Sequence, residues 1–170
     1  MKKVLSIIAT AIVCAVMLVS CGGPKSNYEK ELEAMANAVK AKDYPTVVSN
    51  ASVILNNIDK ATAGDLVTAG LAFSGVVNQK QQDGALDPQE AIDLYNNAQK
   101  CLEAAKTKSD YAATVEVYKA QGNDPDAFLA SIPNAVASFQ AVIDAQAQQA
   151  EALEGEGDAE EAEEGAEDAE

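Results

Sequence analysis

Cysteine is the most nucleophilic side chain this sequence offers, and it occurs three times, as Cys14, Cys21 and Cys101, in a chain without histidine whose basic residues are all lysine. Without histidine no side chain has an ordinary pKa near neutrality, and without arginine there is no planar fork to clamp phosphate or carboxylate. A Ser/His/Asp or Cys/His relay is excluded, as is a His/Cys metal cluster, and no glycine-rich phosphate loop appears. Thiol, carboxylate and phenol remain. Cys101 lies at helical spacing from Leu94, Ala98 and Ala105, which places it on an apolar stripe, where a free thiol behaves as a small hydrophobe. The pairs Asp83 with Asp87 and Asp124 with Asp126 have the composition for acid/base or calcium chemistry. The first lacks the alternation of a calcium loop, and Gly122-Asn123-Asp124-Pro125-Asp126 reads equally as a helix stop and restart. Both pairs are expected to serve turns and caps. Tyr44, Tyr95, Tyr111 and Tyr118 are expected as the larger fillers of an alanine-rich core, with an exposed aromatic binding face as the alternative.

Cys21 stands in a different setting. Met1-Lys2-Lys3 is a short cationic segment, and Val4 to Val19 is an apolar run broken only by Ser6 and Thr10. As a helix this run spans about 24 Å at about 1.5 Å per residue, short of the roughly 30 Å hydrocarbon core of a bilayer. It therefore reads as the apolar region of a signal peptide. The residues that follow, Leu18-Val19-Ser20-Cys21 and then Gly22-Gly23, resemble the lipobox of bacterial lipoproteins. The resemblance covers only the N-terminal segment. It implies cleavage between Ser20 and Cys21, a diacylglyceryl group on the Cys21 thiol and usually an acyl group on its new α-amine. One acyl chain holds a protein only marginally at a membrane, and two or three hold it stably. A tethered mature chain follows, with Gly22 after the lipid cysteine, where aspartate would favour inner-membrane retention; the outer membrane is expected.

Cleavage removes Cys14, and lipidation consumes Cys21. Cys101 is then left without an intramolecular partner, so no disulfide framework is expected. Loss of Lys2 and Lys3 changes the net charge from −15 to −17. Because residues 151–170 hold eleven carboxylates and no lysine, residues 21–150 carry only −6. A balance this acidic repels nucleic acid, which is not an expected partner.

The elements follow from hydrophobic spacing. Tyr28, Leu32, Met35 and Val39 predict a helix ending near Lys42-Asp43-Tyr44. Pro45 opens a second, carrying Val47, Val48, Ala51, Ile54, Leu55 and Ile58 and leaving through residues 56–60. A third, from about Asp65 to Gln81, has an apolar segment, Leu66 to Val77, too short to span a bilayer and rich in small residues; it reads as a buried core helix. Asp87 caps a fourth that begins at Pro88 and presents Ala91, Leu94, Tyr95, Ala98, Cys101, Leu102 and Ala105 on one face. Ser109-Asp110 starts a fifth with Tyr111, Val115 and Tyr118. After the break at residues 122–125, a short turn holds Phe128 and Leu129, and Pro133 is expected to open the last helix, with Val136, Phe139, Val142 and Ile143 inward. From Glu151 the Ala/Gly/Glu/Asp tail lacks apolar surface to offset ordering and is expected to be disordered.

Pro45, Pro88 and Pro133 lie 43 and 45 residues apart. Ala91-x₃-Tyr95-x₂-Ala98 behind the second matches Ala135-x₃-Phe139-x₂-Val142 behind the third. This small-x₃-aromatic pattern resembles the tetratricopeptide repeat, although Val48 and Ser52 depart from it in the first unit. The period also exceeds the roughly 34 residues of that family. The expectation is an all-α chain divided into a signal peptide (1–20), a lipidated tether (21–26), a helical domain (27–150) and an acidic tail (151–170). The helical domain holds about three antiparallel hairpins, either tetratricopeptide-like or an irregular bundle. The function expected is a non-enzymatic protein-binding or scaffold module of the cell envelope, without cofactor or metal. A small-ligand or cation-binding lipoprotein, and a hydrolase using converging carboxylates alone, are the alternatives.

Overall fold

The computed structural model describes residues 26–160, with side chains as far as Glu151. The lipobox Leu18–Cys21 and the signal segment lie outside the described residues. Within them the fold is all-α, with six helices: α1 (Glu29–Ala41), α2 (Tyr44–Leu55), α3 (Ala63–Gln82), α4 (Pro88–Lys106), α5 (Tyr111–Ala120) and α6 (Pro125–Glu160), plus a 3-10 turn at Ile58–Lys60.

Four of the six helices, α2, α3, α4 and α6, start where the sequence supplies a side-chain cap. Asp43 accepts from the Thr46 N–H, and α2 starts at Tyr44, one residue earlier than Pro45 alone implied. Asp87 accepts from the Glu90 N–H ahead of Pro88. Thr62 and Asp65 exchange bonds in a capping box at the start of α3. In each case a short side-chain oxygen occupies an N–H that the first turn leaves without a partner. α1 ends on Lys42 in the left-handed region, φ 57°. Just past α5 and its cap Gln121, Gly122 takes φ 81°, a conformation that costs glycine least.

Around α3 the other helices are arranged. Every residue from Asp65 to Val77 is buried, as expected of a helix apolar or small on all sides. α2 and α4 flank it, α1 packs on α2, and α6 packs on α4. Running directions follow from paired residues. Lys80, late in α3, meets Glu90, early in α4, while Gly70 faces Ala98, Cys101 and Leu102; one index falls as the other rises, so α3 and α4 are antiparallel. Tyr95 against Phe139, ring centroids 6.2 Å apart, with Lys106 against Asp126, makes α4 and α6 antiparallel too. The aromatics of the two matching sequence patterns thus touch.

Two expectations are corrected. Pro133 does not open a helix: it lies inside α6, which begins at Pro125. The Asp124 carboxylate accepts from the Asp126 and Ala127 N–H groups, so an Asp-Pro start like that of α4 sets the boundary. Pro133 is exposed while its neighbour Ile132 is fully buried. The proline has no N–H for the Leu129 carbonyl, and packing on α4 holds the helix through it. The third helix start therefore does not continue the proline spacing, and the third pair is splayed, with α6 lying mainly on α4 and little on α5. Secondly, helical backbone continues through the first half of the tail to Glu160. Alanine and glutamate are strong helix formers and need no tertiary partner to extend a helix already started. Residues 161–170 lie outside the described residues.

By length and composition alone, Pro125–Glu151 is apolar enough to cross a membrane, with mean hydropathy 1.2. Of its larger apolar residues, Phe128, Leu129, Ile132, Val136 and Phe139 pack on the core, whereas Val142, expected inward, is 45% exposed because it lies beyond the reach of α4's packed face.

Candidate functional site

The thiol, carboxylate and phenol groups singled out above are dispersed by the fold. Cys101 sits in the α3–α4 contact with no exposure, and burial pushes its thiol up from 9.0 to about 12. The reactive thiolate is therefore scarce at neutral pH. Asp83 and Asp87 flank one connection but face different tasks: Asp87 caps α4, whereas Asp83 holds Lys42 and Tyr44. Asp124 caps α6, and Asp126 holds Lys106 and Tyr111. Neither pair converges in a shared cleft. Tyr95 and Tyr118 are core residues, and Tyr44 and Tyr111 are partly buried against the core, so the four do not form one aromatic face.

Two of these groupings repeat one design. Lys42 ends α1, Tyr44 begins α2, and both reach Asp83 just past the end of α3, with the lysine Nζ 2.9 Å from Oδ1. Lys106 ends α4, Tyr111 begins α5, and both reach Asp126 in the first turn of α6, at 3.1 Å and 2.8 Å. Each clasp fastens a helix–helix corner to a third helix. The hydrogen bond from Tyr44, then that from Lys42, hold the Asp83 carboxyl below its usual range. Tyr111, then Lys106, do the same for Asp126. Both clasps are solvent-exposed, so their electrostatic contribution is small.

A further polar grouping belongs to none of the chemical motifs in the sequence. On one side of the first turns of α3, Asp65 and Thr68 are buried with Tyr118 of α5 against them. The Thr68 and Tyr118 hydroxyls lie 2.6 Å apart, and Thr68 Oγ1 also donates to the Gly64 carbonyl. From the chain preceding α5, Asp110 does not cap its own helix. Its carboxylate accepts the Ala63 N–H at 3.2 and 3.3 Å, which gives α3 a second, tertiary cap. Asp65 Oδ2 accepts the Thr62 N–H, but Oδ1 is buried without a hydrogen-bond partner, and so is Gln121 Oε1 at the end of α5. The Thr62-x-x-Asp65 spacing was a legible capping box. The approach of Asp110 and Tyr118, 47 and 50 residues along the chain from their partners, was not.

Burial, opposed by the hydrogen bond from Thr68 and reinforced by the negative charge of Asp65, raises the Tyr118 phenol from 10.0 to about 12. A pH profile of stability follows. Cys101 and Tyr118 bind their protons more tightly folded than unfolded. Their contribution is complete below the unfolded values of 9.0 and 10.0 and is lost as pH rises through the folded values near 12. Over that window each group is expected to remove about 1.4 kcal/mol per pH unit. Asp83 and Asp126 have lowered values, so their contribution is present above 3.8 and lost as pH falls through the folded values. Thermal melts from pH 3 to 11 should show a shallow acid limb and a steep alkaline one. In Cys101→Ala the alkaline decline should begin about one unit later, because the groups that remain with raised values, Tyr118, Tyr95 and Tyr111 among them, titrate from 10.0 when unfolded; an unchanged onset would refute this assignment.

Among the described residues no three cysteine or carboxylate side chains are grouped to hold a metal ion. No protein-family profile, curated protein or solved structure matches this chain.

Proposed function

We propose that the protein is a lipid-anchored scaffold of a bacterial cell envelope, tethered through Cys21 and binding another protein on its helical domain. Lys2-Lys3, the apolar run and Leu18-Val19-Ser20-Cys21 support the anchor. Gly22 in the following position favours the outer membrane. For the binding role, the observation that carries the reading is the use to which the polar side chains are put. Asp43, Asp83, Asp87, Asp110, Asp124 and Asp126 each fasten a helix start or a helix corner. A successive array of packed helices presents extended outer surface, as tetratricopeptide-like and other helical repeats do. The excess negative charge favours a protein partner over nucleic acid.

The anchor is tested by labelling cells with a palmitate analogue. Wild-type chain is expected in the membrane fraction and labelled; Cys21→Ser is expected to lose the label entirely and accumulate uncleaved. Label on the variant, or none on the wild type, would remove the anchor from the reading. The binding role is tested by crosslinking from native membranes, with and without residues 151–170. A discrete partner recovered by both forms supports recognition by the helices. Recovery that disappears on truncation moves recognition to the tail, and no specific partner with either form overturns the scaffold.

A further inference from the structure

We propose that α5 is a strap over the N-terminal end of α3, which lifts and recloses while the remaining helices stay folded. Three independent features of the structure point to it. First, α5 has ten residues and buries only two of them, Val115 and Tyr118, with Val117 46% exposed; a helix this short is not stable without packing. Secondly, its hydrogen bonds to α3 are few and local, the Tyr118 hydroxyl on Thr68 and Asp110 on the Ala63 N–H, and beyond α3 it is held by Tyr111 donating to Asp126 of α6. Thirdly, among the described residues both buried side-chain acceptors without a hydrogen bond, Asp65 Oδ1 and Gln121 Oε1, belong to this part of the fold. Asp65 lies one turn before Thr68, close enough for its charge to act on the Tyr118 phenol, and Gln121 ends α5 itself.

Leaving a buried acceptor unpaired costs its full desolvation, and lifting α5 gives both oxygens to water. Opening therefore recovers something that global unfolding is not needed to recover, and the apolar contact it gives up is confined to Val115, Tyr118 and the partly buried Tyr111. Gly122 at φ 81° and the connection between α4 and α5 are its two hinges. α6 does not depend on α5 to stay in place, because Ile132 and Phe139 are held in the core and Asp126 by Lys106. In the open form the Asp65 carboxylate, Thr68 and the first turn of α3 become accessible from one side. Locally opening units of this kind are where proteins place gated surfaces.

Hydrogen–deuterium exchange on the purified full chain tests this, read separately for Val115–Ala120 and for Leu66–Val77. The α5 amides are expected to exchange faster than those of α3, with little dependence on low urea. Phe73→Leu, a core change away from α5, should speed α3 exchange about 5-fold and leave α5 unchanged, because α5 opens without unfolding α3. Tyr118→Phe should speed α5 exchange about 5-fold, the effect of one neutral hydrogen bond. If the α5 amides are as protected as those of α3, or accelerate with them in Phe73→Leu, then α5 opens only with the whole fold and the strap is refuted.

Discussion

Phe73→Ala is expected to lower the unfolding free energy by about 3–5 kcal/mol, the range for removing a fully buried aromatic ring. Phe73 has no exposed surface and sits in the middle of α3, the helix buried on all sides, within the core cluster to which all six helices contribute. Its ring is enclosed on a helix whose residues from Asp65 to Val77 are all buried, so collapse around a truncated side chain would have to move packed helices together. A domain of this size has about 5–15 kcal/mol in total. The variant should therefore be largely unfolded at physiological temperature or melt far below the wild type. Urea denaturation followed by circular dichroism checks it: the midpoint should fall sharply with an unchanged slope. A loss under about 1.5 kcal/mol, the range of volume-conserving swaps, would mean that the centre of the domain is not packed as described.

Gly70→Leu is expected to cost about 3 kcal/mol or more, at the upper end of overpacking effects. A Cβ built on Gly70 would lie 3.1 Å from Leu102 Cγ, 3.2 Å from the Ala98 carbonyl oxygen and 3.4 Å from Cys101 Cβ. The Leu102 side chain can give slightly; the Ala98 backbone, inside a regular helix, cannot. Gly70→Ala separates two effects of opposite sign. Helix propensity favours alanine by about 1 kcal/mol, but the Cβ contact with the Ala98 carbonyl opposes it. The structure decides for the contact, so even alanine should destabilise slightly. A stabilising Gly70→Ala would show that α3 and α4 lie farther apart than this contact requires.

Much of the local structure was legible because it rests on short-range rules. The apolar stripe from Ala91 to Ala105 defined α4, and all of its members are buried. The run of small and apolar residues from Leu66 to Val77 identified a core helix, and Asp87-Pro88 marked a start. Cys101 was placed in the core by its spacing alone. At Pro133 two local rules compete. Asp124-Pro125 and Pro133 both resemble helix starts, and only the packing of Phe128, Leu129 and Ile132 on the core keeps α6 continuous between them.

The sequence by itself determined an all-α chain, most of its helix boundaries, the buried character of α3 and the chemistry it lacks, since caps, periodicity and composition act within a few residues. Only the tertiary structure decided that α6 lies on α4, that Asp83 and Asp126 each join a lysine and a tyrosine, and that Asp110 caps α3. It also decided that Tyr118 closes over Thr68 beside an unpaired Asp65 oxygen. Those arrangements join residues from 15 to 50 positions apart, and a side chain with several satisfactory local roles takes its partner from whichever distant helix the packing of the core brings beside it.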